Sequence, residues 1–324
     1  MKDATHSGRT AESPRDAEAQ WAQPTKLAAS FFIHPEDEAA LRRLKAVPGI
    51  DILTKKFLEF GFESFLHGLY MGSCIRLSKT QLPEIYNLLP PVCEAFGIDE
   101  PEFYLKMNPL PNAWTVGDKR IMVVVTSGLL EHMKDQTERQ AVIAHECGHI
   151  VCRHVLYRTM AQYLVLLGTS FFKLLKPFAT PLELALNYWS RRSELSADRA
   201  GAVFAGGCEP MIRGLLRLAG GPDDITHAVD SREFADQARA YDQLLANSKW
   251  HKILQSVAIM EQDHPFTAVR VRELQAWEQS PAFKEARLVT GLDGDSCDEC
   301  LCPSCHLPFN PGQKFCRHCG VELP

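Results

Sequence analysis

Hydrophobic positions recur at helical spacing along most of this chain and at strand spacing only briefly. Glu36 to Val47 and Leu53 to Leu66 read as two helices, with Pro48 and Gly49 interrupting the pattern between them. Pro83 to Phe96 reads as another helix, closed by Gly97. A short extended region follows. Phe103 to Met107 is a strand candidate, and Ile121 to Thr126 (IMVVVT) is an apolar, β-branched run between turn residues, which suits a buried strand. Leu129 to His132 begins a helical piece. Thr137 to Tyr163 then keeps a helical period and opens with a capping-box pattern, Thr137 at the cap and Gln140 three residues on. Pro181 to Phe204 is a second long helix, with proline tolerated in its first turn and Gly206-Gly207 beyond its end. Pro210 to Leu218, Arg232 to Leu245 and Pro265 to Glu278 read as further helices. The pattern predicts an α+β fold, mostly α, with a small sheet near residues 103–126. No internal repeat and no long low-complexity tract is visible.

Composition narrows the function classes. The 324 residues are 45 % apolar and 23 % charged, ordinary for a globular protein. A net charge of -5 and a pI near 6.2 give no electrostatic reason to expect nucleic acid. Residues 1–25 are polar, without an apolar h-region or cleavage site, and read as a flexible tail. The longest central stretch free of charge, Thr159 to Phe172, is too short for the roughly 20 apolar residues a membrane span needs. No transmembrane span is expected. A membrane-surface contact through Tyr163 to Phe172 stays open. Scattered single cysteines point to a reducing, cytoplasmic compartment, peripheral to a membrane if that stretch is used.

The chemistry lies in the helix predicted after the sheet. His145-Glu146-Cys147-Gly148-His149 is an H-E-x-x-H. Histidines at i and i+4 share one helix face, so both imidazoles can reach one zinc ion at about 2.0–2.1 Å. Glu146 projects from the adjoining face, where a carboxylate can act as general base to a water that zinc activates. Ala141, Val142, Ile143, Ala144 and Ile150 make the helix apolar and therefore buried, and buried histidines and carboxylates are costly unless paired or metal-bound. Cys147 reads as a small buried residue turned away from the histidines. The second long helix offers Glu194 and Asp198, again at i and i+4. Glu194 can complete a three-ligand catalytic zinc, and Asp198 can accept the outer N–H of a ligating histidine.

In these residues the chain resembles the gluzincin metallopeptidases of the HtpX, Oma and CAAX prenyl protease type. Those proteins pair H-E-x-x-H with a downstream E-x-x-x-D, matched by Glu194 and Asp198. An Asn-Ala segment before a strand is matched by Asn112-Ala113-Trp114, and a Gly-Leu-Leu step by Gly128-Leu129-Leu130. The late H-P-x-T-x-x-R motif is matched by His264 to Arg270, and the likeness covers roughly residues 75 to 278. The resemblance implies a zincin-type domain, an active-site helix beside a small sheet, that hydrolyses protein or peptide substrates. It implies that Asn112 to Thr115, with Ala113 and Trp114 between them, lie on an edge strand that holds an extended substrate by backbone pairing; a turn residue followed by a core tryptophan stays open as the alternative. For His264 it leaves open a gating fourth ligand, an oxyanion donor, or a helix cap, with Arg270 pairing a carboxylate. HtpX and the prenyl protease carry membrane spans, so their membrane-bound or prenylated substrates do not carry over to this chain.

Six of the 11 cysteines fall within residues 297–324. Cys302, Cys305, Cys316 and Cys319 form two C-x-x-C knuckles, the spacing of a short zinc ribbon with one structural tetrahedral zinc. So short a segment cannot build an adequate core, and metal binding would supply its folding energy. The roles of Cys297 and Cys300 stay open. The expected organisation is a tail over 1–25, a zinc metallopeptidase domain over 26–287, a linker over 288–296 and a ribbon over 297–324 that is free to recruit a protein partner. Two zinc ions are expected, one catalytic and one structural. The sequence favours a zinc endopeptidase with a place in protein quality control. A non-catalytic zinc adaptor or chaperone that kept the fold is the alternative, and the presence of Glu146 argues against it.

Overall fold

The computed structural model describes residues 27–59, 61–171, 176–246, 266–289, 302–304, 314–316 and 320–323. Its framework is a four-stranded sheet with helices on both faces. Strand β1 (Ile75–Arg76) runs antiparallel to β2 (Glu102–Lys106), β2 parallel to β4 (Met122–Thr126), and β4 antiparallel to β3 (Ala113–Val116), giving the order β1-β2-β4-β3. Every residue of β4 is buried, as its β-branched run requires of a central strand covered on both sides. Alternate side chains divide the interior in two. Phe103, Ala113, Val123 and Val125 enter one apolar core, while Tyr104, Val116, Met122 and Val124 enter the other. The metal-side chemistry lies in the first half.

The opposite face carries α1 (Pro35–Lys45), α2 (Ile50–Glu59) and α3 (Phe62–Ser73). The single helix expected over Leu53 to Leu66 is split, because Gly61 adopts a left-handed φ of 65° and starts a new helix. The helix expected over Pro83 to Phe96 is likewise two short ones, α4 (Pro83–Tyr86) and α5 (Pro90–Phe96), separated where Pro90 and Pro91 remove donors. Gly97 closes α5 in the left-handed conformation. A short α6 (Ser127–His132) follows the sheet.

The long helix expected over Thr137 to Tyr163 is also two. Helix α7 (Gln136–Val151) ends at Cys152, and α8 (Val155–Phe171) begins after Arg153, whose φ is 59°. The cap of α7 is Asp135, which accepts from Thr137 N at 2.7 Å, in place of the expected Thr137 box. Helix α9 (Lys176–Phe204) starts one turn earlier than expected and carries Pro181 inside it. Against α9 pack α10 (Glu209–Gly220), α13 (Thr267–Glu278) and α14 (Pro281–Val289), while α11 (Asp223–Thr226) lies on α10 and α12 (Ser231–Ala246) on α13. Helix α14 takes up Leu288 and Val289, the first residues of the expected linker.

The two motif helices meet through small residues. A Cβ placed on Gly148 would stand 2.6 Å from the Cβ of Ala200, and one on Gly201 would stand 2.6 Å from the carbonyl oxygen of Ala141. Glycine at these positions lets α7 and α9 approach closely enough for their side chains to converge.

Candidate metal centre

Helix α7 places His145 and His149 one turn apart with ring centroids 4.9 Å from each other, both buried. Helix α9 brings Glu194 and Asp198 to the same place, also buried. Glu194 lies between the two imidazoles. Its Oε2 is 3.6 Å from His145 Nε2 and its Oε1 is 3.4 Å from His149 Nε2. Two metal bonds of about 2.1 Å meeting at the tetrahedral angle set their donors about 3.4 Å apart. One ligand atom from each of His145, His149 and Glu194 lies within 4.8 Å of the others, and among the described residues this is the group that could hold a metal ion. His149 Nε2 is a buried nitrogen with no hydrogen bond, an arrangement that is costly unless a metal takes the lone pair. The donor set, two imidazoles and a carboxylate, is one that zinc accepts at catalytic sites.

The surrounding groups hold these donors in place. Asp198 Oδ1 lies 2.9 Å from His145 Nδ1 and fixes that ring from behind. Arg270, from α13, grips Asp198 with two bonds, Nε to Oδ2 at 2.7 Å and Nη2 to Oδ1 at 2.5 Å. Its Nη1 stands 3.2 Å from Glu194 Oε2, and Arg158 from α8 donates to Glu194 Oε1. Two guanidiniums thus face three buried carboxylates, Glu146, Glu194 and Asp198, and the charge still to be matched falls to a proton on His145 or to a metal ion that replaces it. Burial works to raise the Asp198 pKa, but Arg270 and His145 hold it below the usual carboxylate value. The histidines diverge. Burial works against the imidazolium of His145, yet Asp198 and Glu194 push its pKa up to about 9. Burial and the nearby Arg158 push His149 well below the ordinary histidine value. A cation entering the site displaces a proton from His145.

Glu146 stands beside this cluster, its Oε1 3.9 Å from His145 Nε2. Thr115, on β3, donates to Glu146 Oε2 at 2.8 Å and to its carbonyl at 3.2 Å. Strand β3 is one of the two edge strands of the sheet, with Ala113 and Thr115 on the α7 side. Trp114 faces the other way, its indole N–H donating to the Tyr70 hydroxyl at 2.9 Å. Asn112 pairs its backbone with Thr126, through N to Oγ1 at 2.9 Å and Thr126 N to its carbonyl at 3.0 Å. His264 lies outside the described residues. Cys147 is fully buried among apolar side chains. The structure thus brings His145, Glu146, His149, Glu194, Asp198 and Arg270 together. It adds Arg158, which no motif marked, and gives Thr115, expected only on the substrate-holding strand, a bond to Glu146.

In the C-terminal segment Cys302 and Cys316 are buried together with Leu323. Ser304 N donates to Cys302 Sγ at 3.4 Å, and Gly320 N to the Cys316 carbonyl at 2.7 Å. A Cβ on Gly320 would meet the Asn87 carbonyl at 2.0 Å, so this segment lies directly against the loop after α4. Cys297, Cys300, Cys305 and Cys319 lie outside the described residues.

Comparison with known proteins accords with this geometry. The model of peptidase family M48 matches residues 81–278. Over 261 residues the chain is 31 % identical to the plastoglobule-localized metallopeptidase 48, chloroplastic, of Arabidopsis thaliana, covering 80 % of this chain and 75 % of that protein. It is 28 % identical over 223 residues to a protease HtpX homolog of Tropheryma whipplei (54 % and 75 % of the two chains). A protease HtpX homolog of Thermococcus sibiricus is 26 % identical over 232 residues (61 % and 75 %). No solved structure matches the chain.

Proposed function

The chain belongs to peptidase family M48 and is a zinc metallopeptidase, and we propose that His145, His149 and Glu194 hold its catalytic zinc while Glu146 acts as general base in endopeptidase cleavage. The observation that carries this reading is the pair of donor separations, 3.4 and 3.6 Å, between Glu194 and the two imidazoles. When bound there, zinc supplies Lewis acidity, polarising a peptide carbonyl and bringing the pKa of water toward about 7. The residues do the rest. Thr115 holds one oxygen of Glu146, leaving Oε1 on the side of His145 to take a proton from the attacking water and deliver it to the leaving amine. Asp198 keeps the His145 proton on Nδ1, so that Nε2 presents its lone pair, and Arg270 holds Asp198 ionised for that task.

Substrate binding by edge pairing is supported by the position of β3 as an edge strand, which joins the backbone at Ala113 and Trp114 to the catalytic Glu146 through Thr115. Trp114 would act through its main chain, since its ring is committed to Tyr70, and Asn112 would mark the start of the paired segment. A site that grips backbone selects extended, unfolded protein, the substrate class of a quality-control protease. His264 remains the candidate gating residue on the resemblance alone. A structural zinc held by Cys302, Cys305, Cys316 and Cys319 is part of the proposal, supported by the burial of Cys302 and Cys316, and so is a protein-binding role for that module. Among the described residues no helix is long and apolar enough to cross a membrane. Of the stretch expected to touch a lipid surface, Tyr163 to Phe172, Tyr163 is buried and Phe172 lies outside the described residues, so that contact rests on the sequence alone.

Glu146→Gln tests the reading. It removes the base and leaves every ligand in place, so zinc content stays that of the parent while cleavage of casein falls by about 100-fold or more. Casein cleavage retained by this variant, or cleavage insensitive to a chelator in the parent, contradicts the assignment.

A further inference from the structure

We infer that His149 is oriented for metal binding by a buried chain running through His154 to Asp37, which makes the N-terminal helix α1 a working part of the metal centre. The inference rests on the ligand assignment proposed above and extends it to residues that no motif or comparison marks. Asp37 lies well before residue 81, where the family match begins.

A histidine that binds metal through Nε2 carries its proton on Nδ1 and needs an acceptor there. For His145 the acceptor is the Asp198 carboxylate. For His149 the neighbour is Nδ1 of His154, 3.0 Å away. A ring nitrogen accepts only when it carries no proton, so the proton of His154 sits on Nε2. That atom is 3.0 Å from Asp37 Oδ2, a close polar contact without the alignment of a full hydrogen bond. Asp37 also accepts from Ser196 Oγ at 2.5 Å and from Trp189 Nε1 at 3.1 Å. Each ligand histidine is thus backed by a carboxylate, His145 directly and His149 through a second imidazole. His149, His154 and Asp37 are all fully buried, so water does not supply the missing acceptor.

The backbone is bent to make this chain. In a continuous helix residue 154 would project about 140° around the axis from residue 149. Arg153 instead takes a left-handed φ of 59°, uncommon for a residue with a side chain. The turn brings His154 back over the end of α7, where its N–H donates to the His149 carbonyl at 2.8 Å. Asp37 is carried in on α1, which lies against α9, the helix of Glu194 and Asp198.

His154 and Asp37 are positioning residues, and zinc affinity is the test. The full-length protein is stripped with a chelator and zinc binding is measured by competition with a chromophoric chelator. The binding event lost in His149→Ala marks the site. His154→Phe keeps a ring of similar size without an acceptor and is expected to weaken that event about 10–100-fold. His154→Asn, whose Oδ1 stands where Nδ1 was, restores most of the loss. Asp37→Asn weakens binding in the parent but adds nothing in the His154→Phe or His154→Asn background, because the connection is already cut. If the phenylalanine variant does not fold, the asparagine variant completes the same cycle. Unchanged affinity in folded His154→Phe, or an Asp37→Asn penalty that persists in either background, overturns the inference. A His149→Ala protein that loses no binding event instead overturns the ligand assignment, and the inference with it.

Discussion

Alanine at position 148 probes how far the metal centre depends on the close approach of α7 to α9. The added Cβ would stand 2.6 Å from the Ala200 Cβ and 3.4 Å from the Ala197 Cα. Non-bonded carbons rest at about 3.5–4.0 Å, so the helices must part by about 1 Å at this point. Neither neighbour can swing aside, since one is a methyl fixed to the main chain and the other is main chain. Overpacking of this kind costs about 1–3 kcal/mol, and alanine recovers about 1 kcal/mol of helix propensity over glycine. Global stability should therefore fall by only about 0–2 kcal/mol.

The metal centre tolerates much less. Donor gaps of 3.4 and 3.6 Å, opened by that shift, approach about 4.5 Å. Two bonds of about 2.1 Å reach at most about 4.2 Å even when collinear. Side-chain adjustment closes part of the gap, so the expected loss is at least about tenfold in zinc affinity, with up to about 100-fold in turnover from the misplaced site. Urea unfolding and chelator competition on Gly148→Ala measure the two effects separately. A folded variant that binds zinc and cleaves casein like the parent would refute the argument that helix spacing sets the ligand geometry.

Thr115→Val removes the donor to Glu146 Oε2 with little change of shape. It is expected to lower kcat about tenfold, the worth of one bond to a charged group, while leaving zinc content unchanged. Equal kcat in the two proteins would show that Glu146 is held by something else. Glu273 provides a pH test away from the metal. Its bond with His34, and then Arg272, outweighs burial and brings its pKa down to about 2. A carboxylate depressed on folding contributes stability above its unfolded pKa of about 4.5 and loses that contribution as pH falls toward 2. The shift would be worth about 3 kcal/mol if sealed from water, and screening of a side chain 31 % exposed reduces this to about 1 kcal/mol. Glu273→Gln should therefore be less stable than the parent at pH 7, with the difference vanishing between about pH 4.5 and pH 2; a difference that persists at pH 2 contradicts it.

The convergence of the candidate ligands was readable in advance because their spacing is local to two helices. His145 with His149, and Glu194 with Asp198, each repeat at one turn, so periodicity alone puts each pair on one face. The β-branched run before Thr126 marked the central strand, and Gly97 marked a helix end. The breaks were harder. Arg153 adopts a left-handed φ that nothing in its side chain announces, so Thr137 to Tyr163 reads as one helix. Gly61 and the Pro90-Pro91 pair did carry signals, but the apolar period around them masked the interruptions. The bond of Thr115 to Glu146 and the arrival of Arg158 and Asp37 join three separate elements to the motif helices, a product of tertiary packing with no spacing in the sequence to betray it, while His154 is brought in by the unannounced turn at Arg153.

The central claim is that side chains from α7 and α9 close on one ion, and diffraction data collected on both sides of the zinc absorption edge test it most directly. The account predicts a strong anomalous peak about 2.0–2.2 Å from His145 Nε2, His149 Nε2 and a Glu194 carboxylate oxygen, in crystals grown without added metal. A well-ordered centre with no peak there when zinc is supplied in excess, or a peak whose ligands omit Glu194, contradicts it.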